Sequence, residues 1–418
     1  MTPMLRTFYI AINSDNSPYK TEKEDKSIFT IADGMVQYLL KDVLFKDKFM
    51  GIVGEESSVV EININDDKNN VADYSVTEEG KAPIKIHPGF KPIIDKTKQE
   101  ILKLVESLKE YNYFDKYVFI DPIDGTREFA NEKGYESTIC IGFSSSDGKP
   151  WAGIVYRPIP LPNSTNIKTI EDLNKPPNID DLTTITYAYG CKSAEIIVKK
   201  LDEVNIENLV TERRFEPSPS SKKTFTKYID KIKIKDPKLL TSNGEISSFL
   251  LKLIDKGFKR IYSGGAGNKM LMVLEGKGTA YIQDRGIFRW DTCAAQAVIE
   301  AAGGVCSKLT SVIKDGTTSS YIYQETQSNL DYDNCYDDND ENKPSLTMYN
   351  YNKKKPEFNN MDKNKITLLN KNKKVFDKSY FSPYINLCGI VAYLNPMYTD
   401  QIMTMLKGLS KEIPPSYD

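Results

Sequence analysis

The stretch "VFIDPIDGTREF", Val118 to Phe129, joins an apolar run to two carboxylates three residues apart. "YVFI" has the β-branched and aromatic make-up of a buried strand. Pro122 lacks an N–H, so the ladder is expected to end there, leaving Asp121 and Asp124 at a strand end with Gly125 and Thr126 in the turn that follows. Strand ends of α/β sheets are where ligand crevices form. Taken alone, two Asp residues in a turn also serve ordinary turn chemistry.

The same design recurs twice. "GIVGEES" is a short apolar strand breaking into Glu55 and Glu56, and "RWDTCAAQAVIEAAGG" places Asp291 at the start of a helix. Ala294, Ala297, Val298 and Ala301 form an apolar stripe on that helix, which Gly303 closes. Asp291 taken alone reads as an N-cap. Hard oxygen ligands delivered by three separate strand or helix ends, with few lysines near them, repel one another unless a cation lies among them, and this favours Mg²⁺.

Composition removes competing chemistries. The 418 residues carry 56 Lys plus Arg against 58 Asp plus Glu, so no global basic field exists for a nucleic acid polymer or a membrane surface. A polyanion must be held by a local site. Six scattered cysteines without a CxxC pair suggest neither a zinc knuckle nor a disulfide framework. The single histidine, His87 in "KIHPGF", reads as a loop residue, which argues against Ser-His-Asp and Cys-His catalysis and multi-histidine metal sites. No signal-like h-region opens the chain and no 18 apolar residues run together, so a cytoplasmic location is expected.

Along the chain, "IADGMVQYLLKDVLFKDKF" predicts an amphipathic helix on Met35, Val36, Leu39, Leu40 and Val43. Residues 61–92 look polar and irregular. "KTKQEILKLVESLKEY" predicts a helix with Ile101, Leu104, Val105 and Leu108 on one face. "STICIGF" and "WAGIVYRP" form a hairpin across Asp147-Gly148, and "RPIPLP" marks a lobe boundary, dividing the chain into residues 1–160 and 161–418. Residues 330–375, acidic and then Asn/Lys-rich, read as a flexible insertion. "YTDQIMTMLKGLS" closes the chain as a helix.

"DPIDGT", followed by "WD" before an alanine-rich helix ending in "GG", with "GEES" upstream, resembles the Mg²⁺-dependent, lithium-sensitive inositol monophosphatase superfamily. The likeness covers residues 22–158 and 240–310, and more weakly 385–410. "GGAGNKMLMVLEGKGTAYI" and "WDTCA" resemble the branch that contains inositol polyphosphate 1-phosphatase and 3'(2'),5'-bisphosphate nucleotidase. The resemblance implies an α/β fold, a layered αβαβα sandwich of two lobes with the metal site between them, and a monomer.

It also implies roles. Glu55, Asp121 and the Ile123 carbonyl resemble the ligands of a first metal, and Asp121 bridges to a second completed by Asp124 and Asp291; two or three Mg²⁺ ions are expected. Thr126 resembles the hydroxyl that contacts the attacking water, with Asp33 behind it as proton acceptor, and Glu56 the acid that positions solvent. Gly125, Thr126, Thr241, Gly265, Ala266, Lys269 and Asp291 match substrate-contacting positions, with Lys269 suited to a second phosphate. In the segment "LLTSNGEISS", Gly244 stands where the nucleotidase pattern has a histidine. The implied reaction is Mg²⁺-dependent hydrolysis of one phosphate from a small molecule that carries several, inositol polyphosphates first and bisphosphate nucleotides as the alternative. A sensor without catalysis is expected to lose a metal acid, and none is missing.

Overall fold

The structure is a computed structural model. It describes residues 1–23, 27–64, 72–110, 112–160, 169, 187–191, 196–201, 210–215, 236–244, 246–284, 287–324, 367–369, 375–377, 385–386, 389–394 and 399–412. The expected insertion at 330–375 lies mainly outside them.

Three helices form the first layer: α1 (Thr2–Ile12), α2 (Ile31–Tyr38) and α3 (Lys91–Ser107). In α1 the buried Met4, Leu5, Phe8, Tyr9 and Ile12 recur at helical spacing, a pattern legible in the sequence but not used above. Thr30 caps α2, its side chain accepting from Ala32 N–H, and the helix runs on as a π-turn over Leu39–Leu44. Helix α3 begins earlier than its periodicity suggested. It buries Ile94, Thr97 and Ile101, whereas Leu104 is exposed, so the expected face is turned by part of a helical turn.

These helices cover a seven-stranded sheet of β1 (Phe49–Gly54), β2 (Tyr113–Asp124), β3 (Thr138–Ser145), β4 (Pro150–Tyr156), β5 (Tyr187–Cys191), β6 (Ile196–Leu201) and β7 (Val210–Phe215). Its order is β7-β6-β5-β4-β3-β2-β1, with only β1 and β2 parallel. The hairpin across Asp147-Gly148 forms as expected. Strands β5 to β7 continue the sheet, so the boundary placed at residue 160 falls within one layer.

Side-chain alternation builds the layers. On β3, Ile139 and Ile141 enter the core under α1–α3, while Cys140 between them faces the opposite core. That second core holds α5 (Ala266–Leu274) and α6 (Arg289–Ala301) and is closed by a five-stranded sheet. The strands are β8 (Lys238–Thr241), β9 (Lys259–Tyr262), β10 (Ala280–Gln283), β11 (Val305–Lys308) and β12 (Ile390–Tyr393), in the order β9-β8-β10-β12-β11. On β12, Ile390 and Ala392 face the middle layer, and Val391 and Tyr393 face a third core with α4 (Ser248–Asp255), α7 (Leu309–Asp315) and α8 (Thr399–Glu412). The result is the expected αβαβα sandwich.

Helix α6 lies directly on the first sheet because Gly142 and Gly153 present no side chain: a Cβ on either would run into the Ala294 backbone. The described residues of 61–92 are not all irregular. Ser58–Ile64, Ala72–Glu78 and Ile84–Lys85 pair as a three-stranded antiparallel sheet whose polar, half-solvated make-up hid it from a hydrophobicity reading.

Candidate active site

Strand β2 does not stop at Pro122. Its pairing with β3 passes from Asp121↔Cys140 to Asp124↔Thr138, so Pro122 and Ile123 bulge opposite Ile139 alone. Proline is tolerated there because the bulge frees it from donating to the ladder. The bulge also corrects the side-chain phase. Residues three apart on a regular strand point to opposite faces, and one extra residue brings Asp121 and Asp124 to the same side. The parallel register Gly54↔Ile120 and the bond from Glu55 N–H to Ile120 O at 3.0 Å then set Glu55 beside Asp121.

The fourth acid arrives from the middle layer. Asp291 is the third residue of α6, and its Oδ2 accepts the N–H of Phe288 at 3.0 Å. The N-cap is therefore Phe288 and not Asp291 as the simpler reading had it; Asp291 reaches back to the N-cap N–H from the third helical position and also joins the acids. One oxygen from each of Asp121, Asp124 and Asp291 lies within 4.8 Å of the others, a group that can hold a metal ion. Asp121 Oδ1 is buried without a hydrogen-bond donor. Burial, then the charges of Glu55, Asp124 and Asp291, holds the Asp121 carboxyl well above the carboxylate range, and burial does the same to Asp291. Glu55 is pushed up to about 7, chiefly by burial.

Asp124 is fixed on both oxygens. Oδ1 accepts from Ala266 N–H at 2.8 Å, and Oδ2 from Gly267 N–H at 2.7 Å and Thr138 Oγ1 at 2.8 Å. It thus caps the N-terminus of α5 and ties the first sheet to the middle layer. Gly125 (φ 85, ψ 40) follows in the left-handed region; a Cβ there would stand 3.2 Å from Gly265 N. What the glycine makes room for is the "GGAG" backbone. Thr126 opens a four-residue helical turn, Thr126–Phe129, and its hydroxyl lies 3.0 Å from Asp33 Oδ1 and 2.8 Å from Ile123 O. Asp33 Oδ2 accepts from Thr30 N–H at 2.8 Å and Thr30 Oγ1 at 2.5 Å. Burial raises the Asp33 carboxyl to about 6.

A cavity of about 210 Å³ opens over this arrangement. Glu55, Asp121, Asp124 and Asp291 line it with Ile123, the Gly125–Glu128 turn, and Ser27 with Ile28. A family model described as the inositol monophosphatase family matches residues 5–335. The chain belongs to the inositol monophosphatase family. It is 27% identical to human 3'(2'),5'-bisphosphate nucleotidase 1 over 47% of this chain and 50% of that protein. It is 25% identical to inositol polyphosphate 1-phosphatase of Mus musculus over 71% of this chain and 75% of that protein. Thus the chain spans about half the length of the nucleotidases it matches, and more of the polyphosphatase. Among solved structures it is similar to CysQ from Bacteroides thetaiotaomicron, a bacterial member of the same family, at 16% identity and a TM-score of 0.33 over 52% of this chain and 76% of that one.

For this family member the expected metal acids and the Thr126–Asp33 pair come together, and four other expectations meet different surroundings. Glu56 does not line the cavity: its Oε2 pairs with Lys23 Nζ at 2.5 Å, and Gln37 binds its backbone at both ends, accepting from Glu56 N–H at 3.0 Å and donating to Glu56 O. Lysines are not remote from the acids, since Lys23 and Lys269 both stand beside them. Nor is Lys269 a solvated lysine or one turned to a second phosphate. It is 3% exposed, donates to Gly265 O at 2.7 Å and Ser263 O at 3.3 Å, and lies over the Tyr281 ring. An ammonium this buried is stable only when it fills its hydrogen bonds, and the nearest acceptors are these carbonyls. Thr241, Gly265 and Ala266 are likewise absent from the cavity lining; Thr241 Oγ1 accepts from Arg260 Nε at 2.9 Å.

Gln37, Thr138, Glu136 and Asn243 escaped the sequence reading. Asn243 Nδ2 donates to Glu128 Oε1 at 2.9 Å and Glu136 Oε2 at 3.0 Å, and Glu136 Oε2 also accepts Gly264 N–H at 2.6 Å. Only Glu136, one turn residue among many acids, had any local signal. His87 is exposed, its Nδ1 accepting Gly89 N–H at 3.0 Å, as a loop histidine should. No helix among the described residues is long and apolar enough to cross a membrane.

Proposed function

We propose that this protein is a metal-dependent phosphomonoesterase that removes one phosphate from a small molecule bearing more than one, with inositol polyphosphates of the inositol 1,4-bisphosphate type as the first substrate class. The observation that carries this reading is the convergence of Glu55, Asp121, Asp124 and Asp291 in one cavity with Thr126, whose hydroxyl is bonded to the buried Asp33 behind it. The unpartnered, buried Asp121 Oδ1 and the all-oxygen donor set fit Mg²⁺. Glu55, Asp121, the Ile123 carbonyl, Asp124 and Asp291 would hold two or three such ions. Bound there, they supply Lewis acidity towards phosphoryl oxygens and lower the pKa of water.

The chain's own residues do the rest. Asp124, locked to the α5 amides and Thr138, keeps the acid cluster open without spending a mobile side chain. The Thr126 hydroxyl takes the proton of the attacking water and passes its own to Asp33 Oδ1, 3.0 Å away. A carboxyl raised to about 6 is a better proton acceptor than an ordinary aspartate while still mostly ionised at neutral pH.

The second reading is a bisphosphate nucleotidase, favoured by the likeness to the human enzyme of that name. The longer span shared with inositol polyphosphate 1-phosphatase puts the inositol class first. Phosphate release from inositol 1,4-bisphosphate, adenosine 3',5'-bisphosphate and their monophosphates, with Mg²⁺ and with EDTA, tests this. Release from inositol 1,4-bisphosphate that EDTA abolishes is expected. A nucleotide favoured tenfold or more reverses the order, and no release from any member overturns the reading.

A further inference from the structure

With Lys269 occupied by backbone carbonyls, the cavity needs another cation for a substrate's second phosphate. We propose that Arg127 is that group, the residue that selects multiply phosphorylated substrates; this rests on the phosphatase reading above. Arg127 is the one cationic side chain lining the cavity among the described residues. It follows Thr126 on the helical turn, so it stands one residue from the hydroxyl at the reacting end. It is exposed, and its guanidinium forms no ion pair or hydrogen bond with another described residue.

The geometry divides the cavity by depth and by side. Asp121 and Asp124 are 1% and 7% exposed and form the floor, where the phosphate to be cleaved belongs. The parts of the substrate further out meet the more exposed lining residues, Arg127 and Glu128. Glu128 is a poor neighbour for a phosphate, and it cannot swing away, because Asn243 bonds it together with Glu136 and its stem packs against Gly264. The lining thus sets a fixed carboxylate that repels a second phosphate next to an exposed guanidinium that attracts one, the combination that specificity requires. Arginine suits the task better than lysine because its fork binds two phosphate oxygens at once.

The test compares wild type, Arg127→Ala and Arg127→Lys on inositol 1,4-bisphosphate and inositol 1-phosphate at two salt concentrations. The ratio of kcat/KM for the bisphosphate to that for the monophosphate should fall about 10- to 100-fold in Arg127→Ala, mainly through KM, as for a lost hydrogen-bonded charge contact. Arg127→Lys should recover part of the ratio, and raised salt should shrink the wild-type ratio towards that of the alanine variant. A ratio that does not change in Arg127→Ala, while wild type hydrolyses both substrates, overturns this assignment and leaves the phosphatase reading intact. Wild type that releases phosphate from neither substrate overturns both.

Discussion

Thr126 and Asp33, 93 positions apart in the chain, are joined by a hydrogen bond of 3.0 Å from the Thr126 hydroxyl to Asp33 Oδ1. A hydroxyl has one proton to give, so Thr126 shares it between this carboxylate and the Ile123 carbonyl at 2.8 Å. The other Asp33 oxygen is held by Thr30, which leaves the acid no freedom to turn away. In the proposed mechanism this pair is the relay, and these bonds fix its far end before substrate arrives.

Thr126→Val keeps the shape and removes the relay. Turnover should fall by roughly 10²- to 10³-fold, the usual worth of a positioned acid–base group, while Thr126→Ser should retain much of it. Asp33 loses one donor, so thermal stability should drop slightly. A valine variant within twofold of wild type would remove Thr126 from the mechanism.

Asp121→Asn separates catalysis from stability. The buried Asp121 oxygen has no donor, and burial and three neighbouring acids resist its ionisation, so at alkaline pH, where the wild-type carboxyl is forced to ionise, Asp121→Asn should raise the melting temperature in EDTA. The same change should remove several kcal/mol of transition-state stabilisation, on the order of 10³-fold in kcat, and shrink the melting-temperature rise that Mg²⁺ produces. A variant whose response to Mg²⁺ matches wild type would contradict the metal assignment.

The pH dependence of the metal-free protein follows from Asp33 and Glu55. Burial raises them to about 6 and about 7, against ordinary values of 3.8 and 4.5. Between about pH 4 and 7 the folded state therefore holds protons that the unfolded chain has released. Where the unfolded state binds fewer protons, stability falls as pH rises. Their contribution is complete below about pH 4 and lost through pH 7. Melting in EDTA should fall across this window, and Mg²⁺, which binds the ionised forms, should restore stability at pH 7.5. A metal-free protein that gains stability from pH 5 to 7 would refute the burial of these acids.

Lys269→Met should behave as a structural lesion. The Ser263 and Gly265 carbonyls lose the ammonium donor, Gly265 keeping only the 3.3 Å bond from the Lys269 N–H, at a cost of about 1–3 kcal/mol. Mono- and bisphosphorylated substrates should lose turnover by the same factor as the loop behind Asp124 loosens. Selective loss of the bisphosphate would return Lys269 to the substrate.

Gly153→Ala tests the middle layer. Its Cβ would meet the Ala294 carbonyl, which is backbone and cannot rotate aside. Helix α6 must lift, costing about 1–3 kcal/mol by overpacking, and Asp291 near its start must move with it. Calorimetry and turnover should both register the change; an alanine variant with wild-type melting and kcat would mean that α6 does not rest on the sheet so closely.

Much of the fold was legible because period-2 and helical apolar patterns are local. "STICIGF", "WAGIVYRP" and the stripe through Ala294 and Val298 name their own elements and buried faces. The acids were legible too, since a carboxylate that interrupts an apolar run has few bland explanations once it recurs at three strand or helix ends. The sheet over Ser58–Lys85 was missed for the converse reason: strands with one wet face and polar residues leave little hydrophobic signal.

The sequence by itself determined which residues carry charge, where runs break, and that with one exposed-loop histidine the chemistry must rest on oxygen ligands and hydroxyls. The tertiary structure alone decided where those groups point. Only the bulge at Pro122–Ile123 puts Asp121 and Asp124 on one side, because strand phase depends on how the partner β3 is paired. Only packing buries Lys269 against Ser263 and Gly265 and leaves Arg127 exposed on the cavity lining. Both lysine and arginine carry the same charge in the sequence. Which one is free to meet a ligand depends on contacts made across the fold, where the cost of desolvating an ammonium must be met by carbonyls that no local pattern announces.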